Sequence, residues 1–293
     1  MSDLYETVRE PQMTQESLKL ALQSESGLSK VWVVVEGKGD VAVFSRLFSS
    51  STISVKQGVD DKGNGGYTNV ENIVNYINSD TPEANVFGIR DKDYTLYQTP
   101  PRVFPDNVFL TDRRDLEMML SESPSVRDAF ASIVDFDRAE RKVMPVLRYL
   151  GYQRIYIGCR NMLCAFEDVV KVSKVWDYST HDLLADWKRN CDDGLQAKMS
   201  VTQDQLFQFI EEKRLEQESD YDVCRGHDYI GYVSRALINT AKYSENYISS
   251  TMYDSYSLQD FLGTNLCASI LAWQNERGVI VVPSNIVSNS LNS

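Results

Sequence analysis

No stretch of this chain approaches the roughly 20 apolar residues that a membrane-crossing helix needs. Its first residues, MSDLYETVREPQ, are acidic and lack the apolar region of a secretory leader. A soluble, cytoplasmic protein with no membrane partner is expected. Positive charge is in short supply: 30 Lys and Arg against 42 Asp and Glu give a formal net charge of −12. That balance disfavours indiscriminate binding to nucleic acid or to an anionic lipid surface, so a polyanionic partner would need a local basic patch or metal ions. Five cysteines, an odd number scattered along 293 residues, argue against a disulfide framework and for reduced thiols. Of the two histidines, neither stands near a Ser or Cys in an arrangement that marks a covalent nucleophile. There is no internal repeat. The length admits a sizeable core, one α/β domain plus a second module.

What the chain does have is VWVVVEGKGD, residues 31–40. Five consecutive apolar, mostly β-branched residues are too few for a full helix, and they run into a glycine-containing turn. This is the pattern of a strand buried on both faces of a parallel sheet. Glu36 follows at once, so a carboxylate stands where the strand leaves the sheet, with Gly37 and Gly39 letting the backbone turn. Ligands of open α/β sheets bind at such strand ends. Before this stretch, Thr14–Leu22 predicts a short helix. After it, Asp40 can cap a helix whose stripe is Val41, Phe44, Leu47 and Phe48. Ile53–Val55 predicts a second strand. The sequence GVDDKGNGG at 58–66 holds four glycines and could cradle phosphate, but it lacks the Gly-Lys-Ser/Thr ending of a Walker loop. A connector or rim loop is the plainer reading. Thr68–Glu71 reads as a capping box for a helix with Val70, Ile73, Val74 and Ile77 on its apolar face.

Asn85–Arg90 predicts a third strand, ending in Asp91-Lys92-Asp93. In an extended segment Asp91 and Asp93 share a face. Two carboxylates aimed into one space repel and are most simply held together by a cation. An Asp-rich turn ahead of the loop through Pro100, Pro101 and Pro105 is the alternative. Val108–Thr111 predicts a fourth strand, followed by DRRDLEMML, in which Asp115 and Glu117 lie just past the strand end and Met118, Met119 and Leu120 begin a buried helix face. Acids thus follow three of four strands.

Glu36-Gly37-Lys38-Gly39-Asp40, Gly88-Ile89-Arg90-Asp91-Lys92-Asp93 and Arg113-Arg114-Asp115-Leu116-Glu117 together resemble a Toprim domain. The third element looks most like the stand-alone, OLD-related Toprim nucleases, the family of the AriB-type effectors of the PARIS anti-phage defence system. Arg225-Gly226-His227-Asp228 looks like a further family element without an assigned role. The resemblance implies an α/β Toprim fold, Rossmann-like, with a mostly parallel sheet flanked by helices. It implies a nuclease dependent on Mg²⁺, or Mn²⁺ in its place, with Glu36, Asp91 and Asp93 as the metal-binding core and Asp115 and Glu117 as additional ligands. It further implies an ATPase partner of the AriA type that restrains the nuclease until a phage protein triggers release, a homodimer in the active state, and tRNA cleavage as the toxic act. Lys38 could add a positive contact to the phosphate, or be a solvated turn residue. A metal in such a site would activate a water and polarise the scissile phosphate, and two ions about 4 Å apart could divide these tasks.

From Pro124 onward the pattern is largely helical. Asp137–Glu140 reads as a capping arrangement, Pro145 is expected to kink or restart the helix, and Gly151 to end it. Between residues 138 and 160 stand Arg138, Arg141, Lys142, Arg148, Arg154 and Arg160 against the single acid Glu140, with Tyr149, Tyr152 and Tyr156 interleaved. Basic groups contact phosphates and aromatics stack on unpaired bases, so this stretch is the candidate RNA- or DNA-facing surface. A solvated helix face is the alternative. Cys159, Cys164, Cys224 and His227 match no recognised zinc spacing, and the cysteines read as buried thiols. His181 reads as structural. Thr202–Gln217 predicts an amphipathic helix around Leu206, Phe209 and Ile210. Tyr229–Ala241 and Leu258–Trp273 predict helices that pack in a core or form a helical cap or dimer surface. The ending PSNIVSNSLNS reads as loose. The expected organisation is a helical lead-in (1–27), a Toprim domain (28–122), a mainly helical domain (123–280) and a tail (281–293). Two rival functions remain open. A nucleotide-sugar transferase also sets Asp-x-Asp after a strand, but it does not explain Glu36. A Toprim module that no longer cuts would serve as sensor or scaffold for an ATPase.

Overall fold

The computed structural model describes residues 12–282 apart from 49, 161, 163–165 and 238–241. Five parallel strands, β1 (Gln12–Met13), β2 (Val31–Val35), β3 (Ile53–Gly58), β4 (Asn85–Arg90) and β5 (Val108–Leu110), form one sheet in the order β1-β3-β2-β4-β5. The main helices in chain order are α1 (Gln15–Leu22), α2 (Lys38–Leu47), α3 (Tyr67–Asp80), α4 (Leu116–Glu122), α5 (Pro124–Ala131), α6 (Phe136–Cys159), α7 (Trp187–Met199), α8 (Gln203–Glu212), α9 (Gly226–Ala236), α10 (Glu245–Ser255), α11 (Leu258–Leu262) and α12 (Asn265–Arg277). The chain divides into two units. The first comprises the described residues of Met1–Asp91, Val103–Asp112 and Tyr253–Ser293, the second Lys92–Arg102 and Arg113–Met252. Among the described residues no helix is long and apolar enough to cross a membrane.

In the first unit every residue of β2 is buried, as a central strand covered on both faces requires. One face of the sheet, carrying Trp32, Val34 and Val86, packs on Leu18 and Leu22 of α1 and on Val70, Ile73, Val74 and Ile77 of α3. On the other face Phe87 meets Phe48 and Trp273 at ring-centroid distances of 6.5 and 4.8 Å, and Phe44 and Phe48 meet Phe261 at 6.3 and 5.6 Å. The segment read as a helix over Leu258–Trp273 is therefore core, and it forms two helices, α11 and α12, with Gly263 between them. Asp112 anchors the second by accepting from the Asn265 and Leu266 N–H groups, each at 2.7 Å.

The local caps differ from the sequence reading. α3 starts at Tyr67 after Gly66, whose φ of 123° makes the turn, so Thr68 lies inside the first turn and Glu71 closes no capping box. α2 starts at Lys38, and Asp40 caps it from the third position by accepting the Gly37 N–H at 2.7 Å. Its buried stripe is Val43, Phe44, Leu47 and Phe48, with Val41 half-buried.

The second unit is helical except for a two-stranded antiparallel ribbon, Trp176–Asp177 with Asp182–Leu183. Its longest element, α6, runs 24 residues through both Pro145 and Gly151, where the sequence reading expected a break and an end. Pro145 faces solvent, so the carbonyl whose bond it removes is not stranded in a core. Gly151 is buried where a β-carbon would collide with the Val223 carbonyl. It serves close packing rather than termination. α8 is capped by Thr202 with Gln205 in a reciprocal box and stops at Glu212, before Arg214 turns left-handed (φ 54°) and a short 3-10 turn follows at Leu215–Gln217. α9 stops at Ala236 because Leu237 is extended. Residues 238–241, Cys164 and the Asn/Ser-rich ending lie outside the described residues.

Candidate functional site

The strand order turns back on itself at β2. From β2 the chain passes through α2 to β3 on one side, and from β3 through α3 to β4 on the other. The carboxyl ends of β2 and β4 consequently flank the point where ligands of open sheets bind. Val35 pairs with Ile89 in register, so Glu36 and the pair Arg90-Asp91 leave the sheet side by side. The Glu36 carboxylate accepts the Asp91 N–H at 2.9 Å and stands 3.8 Å from Arg90 Nε. Both acids are half-buried. Arg90 is 1% exposed. Its Nη1 pairs with the Glu71 carboxylate, its Nε donates to the Asp91 carbonyl at 3.0 Å, and it lies 4.3 and 5.1 Å from the ring centroids of Tyr67 and Phe104. A guanidinium this deep needs a counter-charge, and buried Glu71 provides it. Gln57 on β3 donates to the Glu36 carbonyl at 3.0 Å. Lys38 is exposed at the first position of α2. Sequence reading missed Arg90, Glu71 and Gln57. A charged residue closing the apolar strand NVFGIR was the signal for the first.

The glycine-rich loop closes on itself. Asp60 accepts the Asn64 side chain at 2.9 Å and the Lys62 and Asn64 N–H groups at 2.9 and 2.8 Å. These bonds, the Asn64 side chain foremost, hold its carboxyl below the ordinary range. Those amides face the loop's own carboxylate, which fits the rim-loop reading and not a phosphate cradle.

In the second unit Asp93 has φ 48° and donates its N–H to the Arg114 carbonyl at 2.6 Å, while Lys92 pairs with Asp222 at 2.8 Å. The chain has thus left the extended conformation at Asp93, and the alternation that set Asp91 and Asp93 on one face does not apply. Asp115 caps α4: its carboxylate accepts the Met118 N–H at 3.0 Å and the Gly226 N–H at 2.8 Å. Burial, and then the charge of Glu117, push its carboxyl up to about 7. A β-carbon at Gly226 would collide with Glu117 Cβ and lie 2.7 Å from Asp115 Oδ1. The element Arg225–Asp228 thereby acquires a role, since only glycine lets α9 begin against the acidic pair. Its Asp228 accepts two bonds from Arg154, at 2.7 and 2.9 Å. Arg114 is buried with Nη1 on the Val223 carbonyl; burial lowers its proton affinity, and Asp93 and Asp115 oppose that. Arg113 bridges Glu122 and Asp222, at 2.7 and 2.9 Å.

The basic stretch divides. Arg148 binds Asp220, the Tyr152 hydroxyl and the carbonyls of Leu215, Glu216 and Glu218. Arg154 holds Asp228 and lies 3.9 Å from the Phe166 ring centroid. Lys142 pairs with Asp182 at 2.6 Å beside Trp176. Tyr149, Tyr152 and Tyr156 are buried, so they offer no face for stacking bases. Arg138, Arg141 and Arg160 are exposed. The expected six-residue nucleic-acid face is therefore reduced to these three, because the other cations are held inside the second unit. Cys191, Cys224 and Cys267 are buried free thiols and Cys159 is half-buried.

Hard carboxylate oxygens suit Mg²⁺, which is held by one or two carboxylates with water and phosphate oxygens completing its shell. In the first unit Glu36 and Asp91 stand at adjacent strand ends, where their carboxylates could serve as such ligands. Asp115 and Glu117 stand together in the second, where burial, and then the charge of Glu117, raise the proton affinity of Asp115. Among the described residues no group of three or more His, Cys, Asp and Glu side chains is arranged to hold a metal ion, so an ion here would draw on water and substrate oxygens. No model of a known protein family matches the chain, and no curated protein matches it either.

Proposed function

We propose that this chain is a Toprim-type, Mg²⁺-dependent phosphodiesterase of nucleic acid, with tRNA or other RNA as substrate, serving as the toxic effector of an anti-phage complex with an ATPase partner. The observation that carries the reading is the level ending of β2 and β4 where the strand order reverses, with Glu36 and Asp91 at those ends. Glu36 and Asp91 would hold the ion, with water and substrate oxygens completing its shell. When bound, the ion lowers the pKa of a water and polarises the scissile phosphate. Arg90 fixes the main chain of Asp91, and exposed Lys38 offers a positive charge to an incoming phosphate. The net charge of −12 fits an enzyme stored against a partner and kept off bulk nucleic acid.

A second reading, a non-cleaving sensor or scaffold for the ATPase, is favoured by the main-chain bonds to Glu36 and Asp115, which engage oxygens a metal would use. Cleavage of total tRNA, single-stranded RNA and duplex DNA with Mg²⁺ or Mn²⁺, beside Glu36→Ala and Asp91→Ala, separates the two. Discrete fragments lost in both variants are expected. No cleavage, even after release from a co-expressed ATPase complex, would leave the scaffold reading standing.

A further inference from the structure

Positive charge is scarce in this chain, and in the second unit much of it is engaged. Lys92, Arg113, Arg127, Lys142, Arg148 and Arg154 each pair with a carboxylate. Arg160 and Lys213 have no ion pair among the described residues. They line one cavity of about 230 Å³ together with Tyr97, Thr99, Cys159, Phe209 and Glu212, all within that unit. Arg160 ends α6 and is exposed; Lys213 ends α8 and is half-buried. A helix C-terminus favours a cation, but with only about half a charge, and a half-buried ammonium without a carboxylate keeps part of its desolvation cost. Lys213 Nζ donates to the Thr99 hydroxyl at 2.8 Å. That oxygen brings no charge, and its own proton is left to donate.

Cys159 reports the sign of the field in the cavity. Burial pushes its thiol up to about 11, so it is uncharged at neutral pH, and the charges acting on it, Lys213, Arg160 and Arg114, are all positive. Glu212, the acid of the lining, is exposed, and its carboxylate accepts from Gln208 of its own helix at 2.9 Å. Burial, and then the charges of Glu218 and Asp222, push the Tyr97 hydroxyl up. The negative side of the cavity is therefore at Tyr97 and the positive side at Cys159, Arg160 and Lys213.

We infer that Arg160 and Lys213 form a binding site for one phosphate group of a nucleotide, with the Thr99 hydroxyl as a third donor. The inference rests on the nucleic-acid reading above for the source of the phosphate, and on neither the metal nor the cleavage step. Phosphate oxygens take charge-assisted hydrogen bonds from both cations, and the anion supplies the counter-charge that the two lack. Phe209 is buried and offers no face to a base. The site reads phosphate and carries no sequence preference.

Binding of adenosine 5′-monophosphate, inorganic phosphate and a labelled single-stranded oligoadenylate to the full chain, in chelator and at low salt, tests it. Arg160→Gln and Lys213→Gln are each expected to weaken monophosphate binding about tenfold, the loss of one hydrogen bond to a charged group. Lys213→Arg, which keeps the charge, and Lys198→Gln, which removes an exposed charge outside the cavity, are expected to stay within about threefold of the parent. With the oligonucleotide, the double variant Arg160→Gln/Lys213→Gln is expected to lower the slope of log affinity against log salt by about 0.7, the share of one phosphate on a single strand. A lysine that merely tied Thr99 in place would leave that slope unchanged. Monophosphate affinity unchanged in either glutamine variant, no monophosphate binding by the parent, or inorganic phosphate bound where the monophosphate is not, overturns the inference. Monophosphate held through the two cations with no oligonucleotide bound upholds the site and brings down the nucleic-acid reading. The metal reading is tested separately, by cleavage and its loss in Glu36→Ala. Arg160 is exposed, so its variant carries the test alone should circular dichroism show Lys213→Gln unfolded.

Discussion

Gly226 stands where no side chain fits, between the Cβ of Glu117 and the carboxylate of Asp115. Its own N–H is one of the bonds that hold Asp115, so a substitution strikes the packing and the hydrogen bond together. Gly226→Ala is expected to cost about 1–3 kcal/mol, the range for overpacking a tight site, read as a lower urea midpoint at unchanged slope. A variant as stable as the parent would show that α9 has room to move away from the acidic pair.

Among the elements, α6 shows how a charge pattern misleads. Its basic residues look like a phosphate-binding face, yet Arg148 closes on the segment 215–220 and Arg154 on Asp228 and Phe166. These are structural clasps within the second unit. Arg148→Ala and Arg154→Ala are expected to destabilise it by about 2–3 kcal/mol, since each leaves partly buried acceptors unpaired. Arg138→Ala and Arg141→Ala should change stability by no more than about 0.5 kcal/mol, as exposed substitutions do. Thermal or urea unfolding of the four variants checks this, and binding of single-stranded RNA to the two stable ones shows whether the exposed arginines meet phosphates. Equal stability losses in all four would remove the distinction between clasp and surface.

For the whole molecule, stability against pH carries the signature of the acidic pair. The Asp115 carboxyl is raised from an ordinary 3.8 to about 7 by burial and by Glu117. A folded-state value above the unfolded one means that the native protein binds the proton more tightly between these limits. The contribution of this group therefore disfavours folding above about pH 7 and improves as pH falls towards about 4. Glu117→Gln removes the second cause and leaves the first. In chelator, that variant is expected to gain stability at pH 7–8 and to show a flatter profile between about pH 5 and 7. Urea unfolding across that range is the measurement, and a profile identical to the parent's would mean that the two carboxylates do not interact.

Strand positions were legible in the sequence because each strand is a short apolar run bounded by turn residues. Val31–Val35 and Asn85–Arg90 appear in the structure at those bounds, and Glu36 and Asp91 at their ends follow from that alone. The sequence by itself therefore determined the α/β class, the helical second half and the place of Glu36 and Asp91 just past two strand ends, since apolar periodicity acts over a few residues. Only the tertiary structure decided what the charged and small residues do. Glu71 meets Arg90 across 19 residues, Asp115 meets Gly226 across 111, and Arg154 meets Asp228 across 74. A charge or a glycine takes its role from the partner that folding brings to it, and no spacing within a segment encodes a partner that far along the chain. The same reason explains why Pro145 and Gly151 lie inside one helix: local propensity opposes them, and solvent exposure of one and close packing of the other outweigh it.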